Sequence, residues 1–182
     1  MMDQHPPHGS MMERQDDTPP EAAVVNVELL ACLRESRAFA GLDVEALSEV
    51  ASRAEVHTLP QGHVLITEGS ESRLFYLLMH GQVSIQVESI QPAMEVGIAK
   101  LGPGEIIGEG ALLAKNARSA TAVLLQECTV AAFDPDVVLG IMNERPERAA
   151  LLFRNIAMVL SARQRLTDRR LLNVTRAQFF PQ

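Results

Sequence analysis

Tryptophan is absent from the 182 residues, and aromatic side chains make up only 4% of them. A core must therefore be built from Val, Leu, Ile and Ala rather than from large rings. Cysteine is nearly absent too. Cys32 and Cys128 lie far apart in apolar contexts, which excludes a disulfide framework and fits a reducing, cytoplasmic setting. No run approaches the ~18 uninterrupted apolar residues that a membrane-spanning helix needs. Met1–Pro20 has no apolar centre, so it does not read as a signal peptide. A cationic excess is also lacking. The formal net charge of −7 repels a phosphate backbone and argues against general nucleic-acid binding. No internal repeat is found.

What is present divides the chain by period. Residues 1–22 are rich in Pro, Asp, Gln and Met without hydrophobic rhythm, as expected of a disordered leader. Within 23–54, Val27, Leu30, Leu33, Phe39, Leu42, Leu47, Val50 and Ala51 recur at three- and four-residue steps, giving two short helices. Asp43 is placed to N-cap the second. Across 55–134 the period becomes two. Strands are read at 63–67, 74–79, 82–88, 95–101 and 120–133, with turns at Gly62, Gly69, Gly81, Pro92 and Gly102–Gly104. Gln82–Glu88 alternates most cleanly, one face polar and one apolar. Such short, turn-separated strands predict a mainly β fold, an antiparallel β-roll or jelly roll. Residues 135–173 return to a helical pattern, with Pro146 at a first helical position and a long C-terminal helix to about Leu172; 174–182 is a tail. Leu152, Ile156, Val159, Arg163 and Leu166 form a seam on that helix, serving either as core packing or as a homodimer interface.

Chemistry concentrates in Gly102–Val123. A glycine-rich turn leads to Glu109 and a short helical turn at Ala111–Ala114, followed by an isolated Arg118 entering a strand. Free backbone N–H groups and one forked, permanently charged guanidinium make a cradle for a single anion. A carboxylate beside it can accept hydrogen bonds from a sugar hydroxyl. Elsewhere, His57, His63 and His80 supply no His-x-His cluster of the kind a metal-dependent cupin needs, and His5 and His8 lack a third ligand. No nucleophile–base constellation occurs. The expectation is no catalytic residue, no metal and no cofactor.

Gly108-Glu109-Gly110-Ala111-Leu112 and Arg118-Ser119-Ala120, with Arg118 nine positions after Glu109, resemble the phosphate-binding cassette of the cyclic-nucleotide-binding domain family. That family includes kinase A regulatory subunits, nucleotide-gated channels and catabolite-activator-type regulators. The resemblance extends from about Phe39 to Leu172 and takes in Gly62–Gly69 and Tyr76–Val83. Ile107 departs from the family's usual aromatic, and Gly110 from its Leu or Ile. The resemblance implies that Arg118 pairs with the cyclic phosphate and that Glu109 binds the ribose 2′-hydroxyl. Backbone groups around Gly110, Ala111 and Ser119–Ala120 would complete the phosphate shell, Gly108 and Leu112 belong to the same ligand-binding set, and Arg163 and Gln164 would cap the base. The ligand is expected to be cAMP, with cGMP the other option.

The implied function is a stand-alone, non-enzymatic sensor that signals to an unidentified effector protein through its C-terminal helix. The alternative is a roll that has lost its ligand and serves as a scaffold. The chain ends about ten residues after Leu172, without the helix-turn-helix of catabolite-activator regulators, so no DNA binding is expected. The basic stretch Arg163–Arg170 could cap the purine, bind an acidic partner or remain a solvated helix end.

Overall fold

The computed structural model describes residues 27–88 and 95–179, without the side chains of 88, 95–97 and 167–179. The leader at 1–22 and the side chains of the second half of Arg163–Arg170 therefore lie outside the described residues. Two helices open the fold, α1 (Val27–Glu35) and α2 (Val44–Ser52). Asp43 caps α2 as its sequence position predicts, accepting from the Ala46 N–H at 2.9 Å.

Eight strands follow, in two four-stranded sheets of the described residues, and every pairing is antiparallel. The first sheet runs β1 (Glu55–Leu59), β8 (Cys128–Phe133), β3 (Phe75–His80), β6 (Ile106–Ile107). The second runs β2 (Val64–Ile66), β7 (Thr121–Leu124), β4 (Val83–Glu88), β5 (Glu95–Leu101). A 3₁₀ helix at Glu109–Leu112 follows β6, and α3 (Pro135–Asn143) and α4 (Pro146–Phe179) close the chain. The molecule is thus a mainly β roll with flanking helices, as the period of the sequence indicates.

Burial explains why the strands read differently. Phe75, Leu77, Met79, Ala131 and Phe133 pack on the helices, while Leu78, Cys128 and Val130 pack on the second sheet. A sheet buried on both faces reads as a continuous apolar run, hence LFYLLM and TVAAF. β4 is different. Val83 and Ile85 face the inner cluster, while Ser84 and Gln86 share the other face and lie within hydrogen-bonding distance of each other at 3.5 Å. The few rings are concentrated where helices meet sheet: Phe75 stacks on Phe133 at 5.1 Å, with Phe39 tilted against it at 6.3 Å.

Four details differ from the sequence expectation. The run 120–133 is two strands in different sheets, because the chain turns at Leu125–Glu127 although its apolar pattern does not break. There Cys128 and Glu127 press on Gly81 (φ +99), where a Cβ would stand 2.8 Å from the Glu127 carbonyl oxygen. β1 and the two-residue β6 carry too little alternation to be singled out. The short helical turn begins at Glu109, not Ala111. The last helix continues past Leu172 to Phe179, since no glycine or proline intervenes before Pro181.

α4 is pinned along its first half. Arg148, only 5% exposed, forks onto both Asp43 carboxylate oxygens at 2.7 Å and reaches Glu45. Asn155 donates to the carbonyls of Ala38 and Ala40, and Leu152 and Ile156 are fully buried. The seam then changes character: Leu152 and Ile156 are core, whereas Leu166 is 57% exposed.

Candidate functional site

Between the inner face of the second sheet, the segment after β6 and the second half of α4 lies a cavity of about 640 Å³. Its floor is apolar, from Ile66, Ile85, Leu101 and Ala122; its roof is Leu160, Arg163, Gln164 and Leu166. Of the residues expected at the site, Gly108, Glu109, Gly110, Ala111, Arg118, Ser119, Ala120, Arg163 and Gln164 all line it. Leu112 does not. It lies 3% exposed in the core beneath the helices, packed with Phe75, Leu77 and Phe133 in one cluster.

Arg118 is held by the chain around it. Its Nη1 donates to the Gly108 carbonyl at 3.0 Å, and its Nη2 to Ser72 Oγ at 3.3 Å and to the Leu74 carbonyl. These partners orient the guanidinium but carry no charge. Arg118 is 8% exposed, makes no ion pair among the described residues, and its Nε is buried without a hydrogen-bond partner there. Burial pulls its pKa below the ordinary value, opposed by the fields of Tyr76 and Glu109. A buried cation fixed by neutral acceptors at a cavity wall is a site for an anion.

Glu109, 7% exposed, is engaged from α4. Arg163 Nη1 donates to Glu109 Oε1 at 2.5 Å, and Nη2 donates to the Ile106 carbonyl at 2.6 Å. Arg163 therefore sits on the carboxylate rather than standing free above the cavity. The backbone N–H groups of Ser119 and Ala120 donate to no described residue, which leaves two donors beside Arg118. Among the described residues, no group of His, Cys, Asp or Glu is arranged to hold a metal ion, and no helix is long and apolar enough to cross a membrane.

Sequence reasoning missed the apolar floor. Strand alternation marks Ile85 and Ala122 as inward-facing but does not say that their face opens into a cavity. It also missed Ser72 and Leu74, which hold Arg118 from more than forty positions away and carry no local signal.

Comparison with known proteins agrees with this geometry. The family model described as "Cyclic nucleotide-binding domain" matches residues 56–145. The Cyclic AMP receptor protein of Thermus thermophilus is 30% identical over 136 residues, 75% of this chain and 61% of that protein. The chain thus spans about three-fifths of that relative's length. The crystal structure of the N-terminal domain of a transcriptional regulator from Streptomyces coelicolor superposes with a TM-score of 0.63 at 32% identity, covering 72% of this chain and 93% of that one. The regulatory domain of Toxoplasma gondii PKA, crystallised with cAMP, superposes at TM-score 0.58 and 26% identity, over 63% of this chain and 43% of that one. With the roll, the cavity and the cassette in place, residues 56–145 form a domain of the cyclic nucleotide-binding family.

Proposed function

We propose that this protein is a cAMP sensor that binds the nucleotide in the cavity above the second sheet and reports its presence through α4. The observation that carries the reading is Arg118: a nearly buried, charge-uncompensated guanidinium on the cavity wall. In the complex Arg118 pairs with the cyclic phosphate, and the N–H groups of Gly110, Ser119 and Ala120 complete the shell, the Ala111 N–H being held by the Gly108 carbonyl at 3.1 Å. Glu109 accepts the ribose 2′-hydroxyl. The purine lies on the apolar floor under Gln164 and Leu166. A volume of about 640 Å³ is in the ordinary range for such a ligand.

The relative named for cyclic AMP and the neighbour crystallised with it favour cAMP over cGMP. A roll kept only as a scaffold would have no use for a buried, unpaired charge, which is costly to retain. No residue of the site has a catalytic role in this reading. The exposed distal seam at Leu166 is the surface offered to an effector or to a second copy of the chain, and the free thiols of Cys32 and Cys128 suit the cytoplasm.

Calorimetric titration tests this. Wild type should bind cAMP at micromolar or better affinity and more tightly than cGMP. Arg118→Ala should weaken cAMP by about 100-fold, the order expected for losing a buried charge-assisted contact. Equal affinity in wild type and variant would remove Arg118 from the site, and cGMP binding more than about tenfold tighter would overturn the choice of base.

A further inference from the structure

We infer that Arg163 is a positioning residue for ribose recognition: from α4 it sets the orientation of Glu109, so one carboxylate both reads the sugar and docks the helix. This rests on the cAMP reading above. Arg163 spreads its guanidinium over Glu109 Oε1 at 2.5 Å and the Ile106 carbonyl at 2.6 Å, with a longer ion pair to Glu105 at 3.9 Å, instead of covering both Glu109 carboxylate oxygens. Oε2 makes no hydrogen bond among the described residues, yet Glu109 lines the cavity. A carboxylate accepts at about four lone-pair positions. A ribose hydroxyl can therefore take Oε2 while Arg163 keeps Oε1, and the two contacts add instead of competing.

The planar fork holds Glu109 Oε1 and the Ile106 carbonyl together, two points of the β6–3₁₀ junction, so the rotamer freedom a free Glu would lose on binding is already lost. Linkage then sets the sign: whatever factor the docked helix contributes to nucleotide affinity, the nucleotide returns to helix docking. The first half of α4 is anchored independently, by Arg148 on Asp43 and by Asn155 on the Ala38 and Ala40 carbonyls. The coupling is therefore carried by the part of α4 from Leu160 onward, and it reports the ribose 2′-hydroxyl.

The experiment compares cAMP with 2′-deoxy-cAMP on the full chain, by calorimetry and by amide hydrogen exchange over Leu160–Leu166. Arg163→Ala should weaken cAMP about tenfold but 2′-deoxy-cAMP less than about twofold, and Arg163→Lys should recover part of the loss. In wild type, cAMP should slow exchange in that segment and 2′-deoxy-cAMP should not. Equal loss for both nucleotides, or equal protection by both, overturns the proposal. The wild-type exchange comparison stands even if Arg163→Ala does not fold. Failure of wild type to bind cAMP would sink the sensor reading and this one together, whereas tight binding without any 2′-hydroxyl dependence sinks this one alone.

Discussion

Gly108 and Gly110 stand two positions apart in the cassette and have opposite tolerances. Gly108 adopts φ +78, and a Cβ there would stand 2.8 Å from both Arg118 Nη1 and Ile66 Cδ1. Gly108→Ala should therefore strain the backbone and push Arg118 off its carbonyl partners. We expect a stability loss of about 1–3 kcal/mol in urea denaturation, with cAMP affinity falling alongside it. Gly110 has open space around its would-be Cβ and no left-handed backbone. Gly110→Ala should leave stability unchanged or raise it by about 0.4–1 kcal/mol. The same denaturation series checks both, and a tolerated Gly108→Ala would show that the Arg118 pocket is looser than drawn. Both glycines are visible in the sequence, but only the backbone angle and the neighbour across the chain separate them.

At the scale of elements, the junction between α2 and α4 rests on Asp43. Its side chain caps α2 and receives the Arg148 fork, and these two sets of hydrogen bonds lower its pKa to about 2 from the ordinary 3.8. Because the folded value lies below the unfolded one, ionised Asp43 stabilises the fold above the ordinary carboxyl pKa. That contribution is lost as the pH falls through about 2. Asp43→Asn keeps an oxygen for the Ala46 N–H but removes the charge under Arg148. Its Tm should lie a few degrees below wild type at neutral pH, and the gap should close on acidification from the ordinary carboxyl pKa to about 2. Thermal melts across that pH range decide it; a gap that persists at the acid end would assign the effect to packing instead. The cap is legible in sequence, as a lone Asp before a periodic apolar run. Its second partner is not, because Arg148 arrives from 105 positions away.

For the whole molecule, net charge is the broadest constraint. With a formal charge of −7, the chain should not retain DNA at physiological salt, since each phosphate contact must be made against a repulsive background. In a mobility-shift assay we expect no sequence-specific complex with or without cAMP. A shift that survives physiological salt on one defined site and not on scrambled sequence would contradict this.

The sequence by itself determined the order of helices, roll and helix, through a hydrophobic period that changes from 3.6 to 2 and back. It also determined the cassette, because Gly108–Leu112 and Arg118–Ala120 are local runs whose residue types state their chemistry. Tertiary structure decided the rest. Which face of the second sheet opens into a cavity depends on how far the two sheets separate. That Leu112 joins the core, and that Ser72 and Leu74 hold Arg118, depends on chain segments meeting across the fold. The seat of Arg163 on Glu109 is of the same kind: 54 positions separate them, and a one-dimensional pattern records neighbours along the chain, whereas a salt bridge is a statement about distance in space.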